Sequence, residues 1–131
     1  MLMKRGEVYR YNYLWSHQHQ RKEISGRKVR PVCLVVRSQR TPADLFLFPL
    51  TSQPPGDRLA LAVPENELYL AALRSPCWII LDEYNVLSEG HLYDFDSLSP
   101  LGTFSLGFMR KIAGAISAAT KQHRLRSVRR D

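Results

Sequence analysis

The chain has 131 residues, 44% of them hydrophobic, and a net charge of +7 at pH 7. That length and apolar content describe one globular domain with a single modest core, and no run reaches the length of a membrane span. The cation excess favours an anionic partner, such as nucleic acid or an acidic protein. The N-terminus turns polar within "MLMKRGEVY" and lacks the apolar stretch of a secretory signal. Two cysteines, Cys33 and Cys77, lie in apolar runs without CxxC spacing, which reads as reduced buried thiols. A soluble cytoplasmic protein is therefore expected.

The first segment, "GEVYRYNYLW", alternates: Tyr9, Tyr11, Tyr13 and Trp15 share one face, and Val8, Arg10, Asn12 and Leu14 the other. Period two with aromatic and β-branched residues predicts a strand. The aromatic face is either core or an exposed base-stacking platform beside Arg10; core is favoured, because large aromatics dominate burial. The polar stretch from His17 to Lys28 reads as a loop. "VRPVCLVVRS" is a buried strand with Pro31 at its start. "DLFLFPLTS" is a third strand interrupted by Pro49, "PPGDR" a turn, and "LALAV" a short fourth strand.

"ENELYLAAL" reads as a short helix, and "SPCWIILDEYNVL" as a central strand whose apolar run ends at Asp82 and Glu83. After Phe104 the apolar spacing becomes helical, through Phe108, Met109, Ile112, Ala113, Ile116 and Ala119. Ser105 is the expected N-cap, with Phe104 and Met109 placed for a hydrophobic staple. Ile112, Ala113 and Ile116 are expected to cover the sheet. Residues 121–131 hold five cations against Asp131 and read either as a frayed basic tail, following a domain at 1–120, or as part of an anion-binding surface. The sum is an α+β chain: a small, partly open antiparallel β-barrel with a C-terminal α-helix.

No metal-ligand spacing is present, since His17 and His19 lack a completing cluster and His91 and His123 stand alone. Nor is there a phosphate-cradling glycine loop, a dinucleotide fingerprint or a nucleophile elbow. No cofactor is expected. The remaining polar residues stand at strand ends: Arg30 at one entry, Thr51, Ser52 and Gln53 at one exit, and Asp82 and Glu83 at another. An arginine fork beside neutral hydroxyl donors forms a compact site for a phosphodiester. Taken singly, Arg30 also reads as an edge ion pair, Thr51 and Ser52 as a side-chain turn, and Asp82 and Glu83 as a solvated exit.

The ordered set "KRGEVY", "RPVCLVV", "PLTSQ", "WIILDEYNVL" and "LGTFSLGFMRKIAGAI" resembles the PemK/MazF/Kid family of toxins from type II toxin–antitoxin systems. The likeness runs from about Lys4 to Ala119. It implies an SH3-like barrel with a C-terminal helix, a homodimer, and sequence-selective cleavage of single-stranded RNA restrained by an acidic antitoxin. The family's catalytic arginine, threonine and acid fall on Arg30, Thr51 and Asp82. Ser52, Gln53, Glu23, Lys22, Arg27, Lys28 and Glu83 fall on or beside its RNA-contacting positions. Departures are Ile24 and Glu83 where glutamine is common, Lys22 at a histidine position, Ile80 at an arginine position, and a longer approach to Arg30. Without a metal, the substrate's own 2′-hydroxyl is the expected nucleophile. The alternative is a non-catalytic module on the same barrel that binds RNA or protein.

Overall fold

The computed structural model describes residues 2–20, 28–122 and 124–131. Among them are eight strands and three helices: β1 (Glu7–Tyr11), α1 (Ser16–Gln20), β2 (Arg30–Arg37), β3 (Asp44–Thr51), β4 (Ala60–Ala62), α2 (Glu65–Leu70), β5 (Trp78–Ile80), β6 (Glu83–Ser88), β7 (Gly102–Thr103), α3 (Leu106–Thr120) and β8 (Arg126–Arg129). The strands form one curled sheet in the order β4-β5-β3-β2-β1-β7, with β6 also on β3 and β8 on β6. Every pairing is antiparallel except β6–β8. The expected α+β architecture, a half-barrel with a C-terminal helix, is what the chain forms.

Strand alternation explains the core. Val8, Cys33, Phe48 and Leu50 enter one cluster, beneath Phe104, Phe108 and Ile112. Their sequence neighbours Tyr9, Val32, Leu34 and Leu47 enter a second cluster on the opposite face, with Tyr11, Tyr13 and Leu45. Both faces of the central strands are thus covered, which is why "VCLV" is continuously apolar; Val36, beyond it, is exposed. Tyr9, Tyr11 and Tyr13 are core, as favoured, and Phe95 packs on Tyr9 and Tyr11 with ring centroids 5.6 and 4.7 Å away. The β2–β3 register shifts between Leu34 and Val36, a bulge that bends β2 and helps curl the sheet.

Several expectations are corrected. "SPCWIILDEYNVL" is two strands: β5 pairs with the end of β3 at Leu50 and Thr51, and β6 pairs with its beginning, from Asp44 to Leu47. The chain switches at Leu81–Asp82, an apolar run being no guide to where a strand changes its angle along a partner. Pro49 does not interrupt β3. It falls between the residues paired with β6 and those paired with β5, where no neighbour on that side requires an N–H. Residues 16–20 are helical rather than loop. Ala113 is exposed, so the buried face of α3 runs through Phe108, Ile112 and Ala119.

The Ser105 cap is present: its hydroxyl accepts the Phe108 N–H, while Glu67 of α2 accepts both the Ser105 N–H (2.8 Å) and its hydroxyl (2.6 Å). A Cβ at Gly102 would collide with the backbone of Leu70 and Ala71, so glycine is what lets β7 approach α2.

The basic end is not frayed. β8 lies parallel to β6, and Val128 is buried. Arg130, with 3% of its side chain exposed, pairs with Asp94 at 2.8 Å and donates to the Asn12 carbonyl, Asn85 Oδ1 and the Tyr11 hydroxyl. Removing the guanidinium takes a donor from four partly buried acceptors at once and leaves Asp94 without its cation. Arg130→Ala is predicted to lower folding stability by about 3 kcal/mol or more, read as a lower urea midpoint at unchanged slope.

Candidate functional site

The site begins with a register. β2 and β3 pair antiparallel with Val32 opposite Pro49. Carried two residues further, that register sets Arg30 across from Thr51. Both residues fall on the alternation of the tyrosine-lined face, and Arg30 also stands opposite Tyr11 of β1. Pro31 holds its residue in extended geometry as β2 begins.

Arg30, Thr51, Ser52, Gln53 and Lys28 line one cleft of about 330 Å³, together with Arg74 and Cys77. Its described lining carries three cations and no carboxylate. The Thr51 hydroxyl accepts the Gln53 N–H at 3.0 Å, a side-chain turn that stops β3 and leaves the hydroxyl proton available to a ligand. Thr51 therefore performs the local structural task read from the sequence and still lines the cleft. Burial holds the Arg30 guanidinium below its ordinary value, against an opposing contribution from Tyr13. Its Nε is buried with no hydrogen-bond partner among the described residues, the kind of orphaned donor that a ligand explains. Burial pushes the Cys77 thiol up to about 11, so it lines the cleft as a neutral group.

Asp82 and Glu83 stand elsewhere. Arg58 donates through Nε to Asp82 Oδ2 at 3.1 Å and through Nη2 to Asp82 Oδ1, and the same Nη2 reaches Glu83 Oε1 at 2.7 Å. The other Glu83 oxygen accepts the Tyr13 hydroxyl (3.0 Å) and the Ser16 N–H (2.9 Å). Burial and the adjacent Glu83 hold Tyr13 well above its ordinary value, so it remains the neutral donor this bond requires. Trp15 links the two groups: the Arg58 guanidinium lies 5.3 Å from its ring centroid and that of Arg30 4.9 Å. The carboxylates thus reach Arg30 through Arg58 and Trp15.

Lys22, Glu23 and Arg27 lie outside the described residues. Among those described, no group of three His, Cys, Asp or Glu side chains is placed to hold a metal ion. No helix is long and apolar enough to cross a membrane. Arg58 and Arg74 were not singled out from the sequence. Arg58 sat inside the turn "PPGDR", and its approach to Asp82 depends on β4 and β5 pairing, which no local pattern shows.

Against known proteins, the chain is similar to a solved structure described as an endoribonuclease in complex with its cognate antitoxin from Mycobacterial species. The TM-score is 0.63 at 18% identity, over 94% of this chain and 99% of that one. At that identity the likeness shows the fold. No protein-family model and no curated protein matches the chain.

Removing Arg58 takes the nearest cation from both carboxylates, leaving Asp82 with Arg126 at 3.9 Å and the almost wholly buried Glu83 with only the neutral donors of Tyr13 and Ser16. Arg58→Ala is predicted to lower stability by about 3–5 kcal/mol in urea unfolding. Arg58→Ala combined with Asp82→Asn and Glu83→Gln is predicted to recover part of that loss.

Proposed function

We propose that the chain is the endoribonuclease toxin of a toxin–antitoxin pair, cutting single-stranded RNA at a phosphodiester held by Arg30 and Thr51. The observation that carries this reading is the cleft lined by both the partly buried Arg30 and Thr51, whose described lining holds three cations and no carboxylate. The fold shared with an endoribonuclease supports it. So does the motif order that resembles the PemK/MazF/Kid toxins.

In the proposed reaction the 2′-oxygen attacks the adjacent phosphorus while its proton leaves to a base. The bond to the 5′-oxygen breaks, and that oxygen takes up a proton. The ends are a 2′,3′-cyclic phosphate and a 5′-hydroxyl, and no metal is required because the nucleophile belongs to the substrate. Negative charge grows on the non-bridging oxygens. Arg30 and the Thr51 hydroxyl answer it as preorganised donors in a partly desolvated cleft. Arginine is a poor proton acceptor at neutral pH, so its task is charge stabilisation. Ser52, Gln53, Lys28 and Arg74 border the path of the strand. Asp82, both of whose oxygens meet Arg58, acts as a positioning residue, and Glu83 with it. The proposed assembly is a homodimer with an acidic antitoxin, to which the +7 charge is suited.

The test is cleavage of a mixed-sequence RNA in EDTA. The wild-type chain is expected to cut it and to spare DNA of the same sequence. Arg30→Ala is expected to lose ~10²–10³ in rate, and Thr51→Val somewhat less. An undiminished Arg30→Ala protein contradicts the assignment. A wild-type chain that holds RNA and never cuts it points instead to the non-catalytic binding module.

A further inference from the structure

Two cavities meet at Arg30. Beside the Thr51 cleft lies a second, of about 370 Å³, lined by Tyr13, Trp15, His17, Gln18, Lys28 and Arg30. Lys28 and Arg30 line both, and the Arg30 guanidinium lies 4.9 Å from the Trp15 ring of the second. A phosphodiester on Arg30 has one nucleoside on either side.

The chemistry of the second cavity is not that of a bare anion site. It offers a half-exposed indole, an exposed imidazole, a buried amide and two cations, with no carboxylate among these six residues. The indole is held from several directions. Tyr13 meets it edge-to-face with centroids 4.9 Å apart, and the guanidiniums of Arg30 and Arg58 lie 4.9 and 5.3 Å from the ring centroid, while the Trp15 backbone N–H donates to Gln18 Oε1 at 3.1 Å and fixes the chain beneath it. A phosphate or sugar uses little of an aromatic wall, whereas a base presents a π-face and an edge of polar atoms. A fixed aromatic beside cations is the usual platform for an unpaired base.

We infer that the Trp15–His17 cavity is a nucleobase subsite, receiving one base that flanks the phosphate on Arg30 while the other nucleoside lies along Thr51, Ser52 and Gln53. This rests on the RNA-cleaving reading for its substrate. It adds that recognition is asymmetric about the phosphate, with Trp15 and His17 setting affinity at one flanking position. The Arg58–Asp82–Glu83 network then gains a purpose: it orients the indole.

The test uses a labelled 2′-O-methyl RNA tetranucleotide, which has no free 2′-hydroxyl to attack, and the same strand with an abasic unit at each position in turn. Binding is read by fluorescence anisotropy. In the wild-type chain one abasic position is expected to weaken binding ~10-fold or more. In Trp15→Leu, which keeps apolar bulk but no π-face, that penalty is expected to vanish, and in Trp15→Phe to return. His17 is exposed, so His17→Ala leaves the fold alone and is expected to shrink the same penalty. An abasic penalty unchanged in Trp15→Leu overturns the inference. If Trp15→Leu does not fold by circular dichroism, an unchanged penalty in His17→Ala overturns it. So does a wild-type chain indifferent to every abasic position. Intact RNA left uncut by a chain that keeps its Trp15-dependent penalty removes the cleavage reading and retains the subsite.

Discussion

The antiparallel pairing of β2 with β3 is the constraint on which the rest depends. Its register, carried on from Val32 opposite Pro49, sets Arg30 across from Thr51, far away in sequence. A slip of one residue would turn one of them to the other face of the sheet. Such a slip is opposed from both sides: Val32, Leu34, Leu45 and Leu47 pack in one cluster and Cys33, Phe48 and Leu50 in the other. The apolar run after Arg30 therefore does more than anchor a strand. It locks the register that aims a charge.

The second constraint is the disposition of the acids. Asp82 and Glu83 are engaged by Arg58, Glu89 by Arg37, Asp94 by Arg130, and Asp44 and Asp131 by Arg129. Pairing these carboxylates elsewhere leaves Lys28, Arg30 and Arg74 around one concavity without an acid in its described lining. Burial weakens the hydration of the Arg30 guanidinium and strengthens its attraction to a bound anion. Trp15 joins the two regions, touched by a guanidinium of each.

Much of this was legible in the sequence. Alternation located β1, β2 and β3 and assigned Tyr9, Tyr11 and Tyr13 to the core; helical spacing and Ser105 located α3. Those signals are local, so one strand or helix suffices to display them. Arg30 beside Thr51 was legible only as two strand ends able to converge, because convergence depends on register. The division of the Trp78–Leu87 stretch at Asp82 was hidden, since Asp82 and Glu83 read as the exit of one strand while both halves lie along β3. The strand at Arg126–Arg129 was hidden for the opposite reason. Its composition is that of a solvated tail, and a parallel seat beside β6 with the Arg130–Asp94 pair overrides it.

The central claim, that Arg30 and Thr51 hold a phosphodiester for attack by its own 2′-hydroxyl, is tested most directly by the chemistry of the ends. The fragments of an RNA digest made in EDTA are to be mapped and their termini identified. The account predicts 5′-hydroxyl and 2′,3′-cyclic phosphate ends that disappear with Arg30→Ala. Fragments bearing 5′-phosphates, or cutting at a position whose 2′-hydroxyl has been replaced by hydrogen, would contradict it.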